Sequence, residues 1–153
     1  MSSTFVKEEE GGEAVDLADR PVSPHPNFVT AAGLAAIEAE LARLQPEYAA
    51  AQAASDRGAL ARVARDLRYW SARRSSAELV PGPANADTVQ FGSTVTVVRD
   101  GRRRTYRIVG EDEADPARGT LSHVSPLARA LFGKAVGDVV RAGSADAKIA
   151  AIA

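Results

Sequence analysis

The chain has 153 residues and no cysteine, which excludes disulfides and thiolate metal sites and suits a reducing cytoplasm. No apolar run approaches the roughly 18 residues of a membrane span, so we expect no membrane partner. Aromatic residues make up only 5% of the chain, which predicts a small core. The formal net charge of −1 conceals an acidic N-terminal segment and an arginine-rich segment near the middle.

Residues 1–27 are predicted to be a disordered acidic tail. Glu8-Glu9-Glu10 is followed by Gly11-Gly12, and Pro21, Pro24 and Pro26 come later in the segment. Such a composition, with almost no apolar periodicity, cannot bury enough surface to form a packed core.

Residues 28–80 are predicted to be an antiparallel two-helix coiled-coil hairpin. Thr30 is a good N-cap, with Val29 and Leu34 placed as a hydrophobic staple. Pro46 should kink or split the first helix. The polar stretch 55–58 is the reversal between arms of roughly 30–37 Å each. The expected seam residues, at heptad spacing, are Leu34, Ile37, Leu41, Leu44 and Tyr48, then Leu60, Val63, Leu67, Trp70, Arg74 and Ala77.

Residues 81–88 are predicted to be a linker, and residues 89–153 a small domain with a mostly antiparallel sheet and one short helix. Asp100-Gly101 between two alternating β segments is a strong hairpin signal. Ser125 can cap a helix that has Pro126 at its first position and ends at Gly133. The fold class is therefore α+β.

Other charged clusters are weaker signals. Glu111 to Asp115 form an acidic loop without the spacing of a calcium site, so a solvated loop is favoured over a metal site. Arg102-Arg103-Arg104 beside the hairpin turn is favoured as a charged strand edge over a nucleic-acid site. His25 and His123 are isolated, and no metal site is expected.

Several blocks in order resemble the Gre (GreA/GreB) transcript-cleavage factors. They are Phe28 to Leu34, Arg65 to Trp70, Phe91 to Val95, Tyr106 to Asp115, and Ser125 to Leu131 with Gly137 to Val140. The resemblance implies an FKBP-like C-terminal domain that grips the rim of the RNA polymerase secondary channel. It also implies that the helical hairpin reaches down the channel. The rim contacts that it implies are Asp112, Glu113, Asp115, Ser125, Pro126 and Arg129.

The hairpin tip departs from the family pattern. Family members carry Gly-Asp-x-x-Glu-Asn there, whose carboxylates help to hold a magnesium ion at the polymerase active site. Ser55 to Ala59 keeps the acid as Asp56 but has Ala59 in place of the glutamate. Roughly 14 family residues are also missing, which would shorten the finger by about 10 Å at 1.5 Å per residue. Arg57, Arg62 and Arg65 make this region basic and could contact nascent RNA phosphates.

From these features we expect a channel-binding regulator of transcription elongation that acts by occupancy. It would not be an enzyme, would have no cofactor of its own, and would meet DNA or RNA only through the elongation complex. One alternative is a cleavage-stimulating factor that uses Asp56 and the polymerase's Mg²⁺. A second is the short-fingered Gre homologue that regulates nucleoside diphosphate kinase. A third is a peptidyl-prolyl isomerase, for which the domain offers only Phe91, Tyr106 and Phe132 as pocket aromatics.

Overall fold

The computed structural model describes residues 17–153, which divide into two compact units. Unit 1 contains Ala36–Ser76 and the described residues up to Pro24, and unit 2 contains His25–Ala35 and Ala77–Ala153. The elements, in chain order, are β1 (Phe28–Val29), α1 (Ala31–Ala53), α2 (Arg57–Ser76), β2 (Glu78–Leu79), β3 (Thr94–Arg99), β4 (Arg102–Val109), β5 (Thr120–Ser122), α3 (Pro126–Leu131), β6 (Val139–Ala142) and β7 (Ala145–Ile152). The predicted α+β class is confirmed.

Helix α1 begins where the sequence predicts. The Thr30 hydroxyl accepts a hydrogen bond from the Gly33 amide at 3.0 Å, which satisfies one of the free donors of the first turn. Ile37, Leu44 and Ala51 are buried at intervals of seven residues, and Leu34, Leu41 and Tyr48 are half-buried, so the predicted seam of α1 is confirmed and extends to Ala51. Pro46 lies inside one continuous helix of 23 residues, and the predicted possibility of a split is wrong.

Helix α2 returns antiparallel to α1. Near its end Arg74 pairs with Glu38 of the α1 start, at 3.6 Å between Nε and Oε2. At this end Arg73 is buried and Arg74 is exposed. The heptad pattern placed Arg74 on the seam and was wrong there, because Arg74 forms its ion pair with Glu38 at the exposed surface.

Strands β1 and β2 form a two-stranded parallel ladder, with Phe28 opposite Glu78 and Val29 opposite Leu79. The Phe28 ring packs against Phe91 and His123, with ring centroids 6.0 and 5.3 Å away. The segment before α1 therefore belongs to unit 2, the unit that contains the C-terminal sheet, whereas the sequence analysis assigned it to the helical hairpin.

The main sheet has five strands in the order β5-β4-β3-β7-β6. All pairs are antiparallel except β4 with β5. Asp100 and Gly101 connect β3 to β4 with positive φ angles of 49° and 74°, as a type I′ turn requires, and the predicted hairpin is confirmed. The core between the sheet and α3 consists of small aliphatic side chains, chiefly Val95, Val97, Ile108, Leu121, Leu131, Val140 and Ile149.

Helix α3 forms on the predicted signals. The Ser125 hydroxyl accepts from the Ala128 amide at 3.3 Å, and Pro126 occupies the first helical position. Gly133 follows the helix with a φ of 78°. Leu127, Ala128 and Leu131 are buried, so one face of this short helix belongs to the core.

Part of the segment predicted to be disordered makes specific contacts. Asp19 forms an ion pair with Arg68, and Arg20 pairs with Asp66 at 3.2 Å. The Arg20 guanidinium also lies 3.9 Å from the centroid of the Tyr69 ring. Asp19 and Arg20 therefore contact α2, and residues 17–24 form neither a helix nor a strand. The first 16 residues of the predicted tail lie outside the described part of the chain.

Within residues 17–153, neither of the long helices combines the length and apolar character that crossing a membrane requires.

Candidate functional site

The hairpin tip is a compact reversal between α1 and α2. Ser55 adopts a left-handed conformation with a φ of 52°. The amides of Ala54 and Asp56 donate to the carbonyls of Ala50 and Ala51 at 3.0 Å, which closes the end of α1. Three residues, 54–56, connect the two helices.

Asp56 is the N-cap of α2. Its Oδ1 atom accepts a hydrogen bond from the Ala59 amide at 3.1 Å, and its carbonyl accepts from the Leu60 amide at 2.9 Å. The carboxylate thus satisfies a free donor of the first turn and lies at the positive end of the helix dipole. The acidic residues that flank Asp56 most closely in the sequence are Glu47 and Asp66. The tip therefore carries one carboxylate, and a structural role accounts for it.

The arginines predicted to contact RNA differ in exposure. Arg57 and Arg62 are exposed, whereas Arg65 is half-buried and its Nε atom is buried without a hydrogen-bond partner in the described part of the protein. Arg62 Nη1 lies 3.3 Å from the position that a Cβ would take at Gly58, so its guanidinium folds back over the tip. The structure brings Arg57 and Arg62 near Asp56 on the first two turns of α2, and Arg65 lies one turn further on.

On the outer face of α1, Arg43 donates to Glu40, at 2.7 Å between Nη2 and Oε2, and to Glu47 at 3.1 Å. The hydrogen bond from Arg43 to Glu40 and the charge of Glu40 raise the pKa of Arg43 above its usual value. These ion pairs lie on exposed side chains of α1 and do not involve the charged residues of the tip.

In unit 2, the acidic loop predicted to contact polymerase contains a structural carboxylate. Glu113 Oε2 accepts from the amides of Thr30 and Gly110, both at 3.1 Å, and Oε1 accepts from the Thr30 hydroxyl. The Cβ of any side chain at Gly33 would lie 2.2 Å from this carboxylate. Glu113 therefore fixes the start of α1 to the loop, which the sequence pattern did not indicate because the partners are 83 residues apart.

The other predicted contact residues differ in role and in exposure. Asp115 accepts from the Ala117 amide at 3.2 Å and caps a short 3₁₀ turn, and Ser125 caps α3. Asp112 is half-buried. Pro126 and Arg129 are exposed on α3, and Arg129 Nη2 lies 3.4 Å from His25 Nε2.

Across residues 17–153 we find no group of three or more His, Asp or Glu side chains arranged to hold a metal ion. The three aromatics considered for an isomerase pocket do not meet in one pocket, since the cavity that Tyr106 lines includes neither Phe91 nor Phe132. Tyr106 and Phe132 pack against the sheet core, and Phe91 lies edge-on to Phe28 and His123. This arrangement does not favour the isomerase alternative.

Two further features were missed by sequence reasoning. Arg73 in α2 is 1% exposed, and an arginine in a charged run gives no signal of burial. A cavity of about 510 Å³ is lined by Arg99, Asp100, Arg102, Arg104 and Tyr106. The alternation of residues along β4 could have indicated it, since Arg102, Arg104 and Tyr106 share one face of the strand.

Comparison with known proteins identifies relatives. Residues 84–152 match the family described as "Transcription elongation factor, GreA/GreB, C-term". The transcription elongation factor GreA of Chelativorans sp. (strain BNC1) is 50% identical over 58 residues, which span 37% of each chain. GreA of Beijerinckia indica subsp. indica is 36% identical over 137 residues, which cover 86% of this chain and 83% of that protein.

The solved structure of GreA factor homolog 1 (Gfh1) of Thermus thermophilus is 19% identical, with a TM-score of 0.41, and covers 84% of this chain and 99% of that one. The family assignment rests on the sequence matches, of which the longest described here runs through both the helical hairpin and the sheet domain. The chain belongs to the GreA/GreB family of transcription elongation factors.

Proposed function

We propose that this protein binds bacterial RNA polymerase at its secondary channel and regulates elongation by occupying the channel, without donating metal-binding carboxylates at its tip. Membership of the GreA/GreB family supports the partner. The capping role of Asp56 supports the mechanism and is the observation on which it depends. In this proposal the protein acts in the cytoplasm, is not itself an enzyme, and carries no metal of its own.

A single carboxylate is a weak basis for metal-assisted hydrolysis. Mg²⁺ demands close, near-octahedral oxygen coordination at about 2.0–2.1 Å and dehydrates reluctantly. At the polymerase active site, Asp56 would be the one tip carboxylate that this protein offers to such an ion, and that carboxylate already accepts from the α2 backbone. The position three residues later is Ala59, which has no ligand atom.

The charges around the tip favour a different contact. Arg57 follows Asp56 directly, and Arg62 lies against the same turn. Two exposed guanidinium groups against one carboxylate give the tip a net positive charge. Such a surface attracts the phosphates of a transcript and opposes a second divalent cation.

A transcript-cleavage assay on a backtracked elongation complex tests this proposal. We expect saturating protein with Mg²⁺ present to leave the cleavage rate unchanged within about twofold, and to slow cleavage when it competes with an active GreA. The physical reason is that one capping carboxylate provides too few ligands for the ion.

Three Asp56 variants separate the two roles of this residue. Asp56→Asn and Asp56→Ser keep an N-cap oxygen but remove the charged ligand, whereas Asp56→Ala removes both. If wild-type protein accelerates cleavage and Asp56→Asn abolishes the acceleration, the occupancy mechanism is wrong and Asp56 is a working ligand. Loss of competition only in Asp56→Ala, with wild-type competition by Asp56→Asn, would confirm the capping role.

A further inference from the structure

We propose that the cavity lined by Arg99, Arg102 and Arg104, here named the arginine pocket, binds the polyphosphate group of a nucleotide. The pocket lies at the β3–β4 turn of the sheet. It shares no residue with the reversal between α1 and α2 or with the acidic loop. Its volume of about 510 Å³ is that of a small-molecule site, for which roughly 300–1,000 Å³ is typical.

The strand register concentrates positive charge in the pocket. Arg99 and Arg102 are direct cross-strand partners, and Arg104 stands opposite Val97 on the same face. Like charges directly opposite each other on antiparallel strands destabilise a sheet. Asp100 is the acid among the residues that line the pocket. Within the described part of the chain, none of the three arginines forms an ion pair, so the charge is left for an external anion.

One of the three guanidinium groups is already oriented. Arg99 is half-buried, and its Nη2 atom donates to the Ala142 carbonyl of β6 at 3.1 Å. A guanidinium fixed by a backbone carbonyl loses less entropy when it binds an anion than a freely rotating one. Its remaining N–H groups retain the fork geometry that matches phosphate oxygens.

The composition of the lining favours a nucleotide over a bare phosphate ion. Three arginines can contact several phosphate groups at once, and the Tyr106 ring adds an aromatic surface. Tyr106 is half-buried and packs against the sheet core, so the ring is held in place. An aromatic surface beside guanidinium groups suits a base next to a charged phosphate chain.

The β4 strand supplies a matched control. Arg103 lies between Arg102 and Arg104 in sequence, carries the same charge, and is equally an exposed residue. Alternation along the strand turns it to the opposite face, and it does not line the pocket. Arg103→Ala thus makes the same change in net charge without removing a pocket residue.

Isothermal titration of the full chain with inorganic tripolyphosphate and with ATP tests the proposal. We expect saturable binding of both, weakened by about tenfold or more in Arg102→Ala and Arg104→Ala because each loses a charge-assisted hydrogen bond. Arg103→Ala should stay within twofold of the wild type. Circular dichroism and a thermal melt of each variant verify that the sheet is intact.

Parallel titrations distinguish the other sources of negative charge. Binding of a single-stranded RNA oligonucleotide or an oligoglutamate peptide, with no saturable binding of tripolyphosphate or ATP, would overturn the proposal. Equal weakening by Arg103→Ala and Arg102→Ala would also overturn it, since the attraction would then be non-specific. ATP binding that tripolyphosphate displaces, and that only the pocket variants weaken, would support it.

Discussion

Glu113 and Asp56 are both acidic residues in regions expected to carry function, and both accept hydrogen bonds from a helix start. Glu113 takes three donors from Thr30 and Gly110, and Asp56 takes the Ala59 amide. Free backbone donors of a first helical turn attract carboxylates strongly. At the scale of the single residue, these hydrogen bonds give both acids a structural role at a helix start, whether the acid is adjacent in sequence, like Asp56, or distant, like Glu113.

Removing the Glu113 carboxylate should destabilise the C-terminal unit. Glu113→Ala leaves the Thr30 and Gly110 donors without this acceptor, and hydrogen bonds to charged groups contribute roughly 1.5–3 kcal/mol each, without full additivity. We expect the free energy of unfolding to fall by about 2 kcal/mol or more, measured by urea denaturation.

Asp146→Ala is the matched control for this change. Asp146 is exposed and pairs with the exposed Arg141 at 3.6 Å, a geometry that contributes little. Its substitution should change the free energy of unfolding by less than about 0.5 kcal/mol. Similar losses of unfolding free energy in both variants would refute the role of Glu113 as the acceptor that joins the start of α1 to the acidic loop.

At the scale of the element, the stability of the β3–β4 turn depends on the backbone conformation of Gly101. A Cβ at Gly101 would meet no atom within 4 Å, yet the residue has a φ of 74°. Gly101→Ala should therefore destabilise the protein by about 1 kcal/mol, because a left-handed conformation strains an L side chain. Thermal melts monitored by circular dichroism give the measurement.

Gly82→Ala is the control that tests whether the left-handed conformation causes the destabilisation expected for Gly101→Ala. Gly82 also has open space at its Cβ position, but it is not in the left-handed region. Its substitution should be neutral or slightly stabilising, since alanine reduces the entropy of the unfolded chain. Equal destabilisation at both positions would contradict the conformational explanation.

The elements that sequence predicted correctly carry local signals. The α1 seam, the Asp100-Gly101 turn and the Ser125-Pro126 helix start each depend on a spacing or a cap within a few residues. The β1–β2 ladder was missed because each strand has two residues and its partner lies 50 residues away. The burial of Arg73 was missed because an arginine within a charged run suggests exposure.

At the scale of the whole molecule, the family was recognisable from spaced motifs, whereas the state of each site residue was not. The sequence pointed to Asp56 and to the acidic loop, but hydrogen bonds that only the folded chain makes show what their carboxylates do. Likewise, Asp19 and Arg20 lie in a stretch whose composition indicates disorder. Their contacts with α2 join residues that are 46 to 49 positions apart, so composition could not indicate them.

These roles narrow the surface with which the C-terminal unit could dock on polymerase. Pro126 and Arg129 are exposed on a helix whose other face is buried, so they can contact a partner without loss of fold. Arg129→Glu should weaken binding of the full chain to RNA polymerase by about tenfold if Arg129 forms a charge pair there. Biolayer interferometry with immobilised polymerase provides the measurement.

Arg103→Glu is the control for docking because Arg103 is similarly exposed and lies on β4, beside the β3–β4 turn. It should leave the affinity within about twofold, the range expected for a charge outside the interface. Unchanged affinity in Arg129→Glu would remove α3 from the proposed docking surface.

The space at Gly33 has a consequence for how this chain can evolve. The Glu113 carboxylate occupies the volume where a side chain at position 33 would begin. A mutation that adds a side chain at 33 would thus expel the acid, and a shorter residue at 113 would remove the reason for a glycine. We expect the two positions to covary among related chains, with glycine at one accompanying glutamate at the other, although 80 residues separate them.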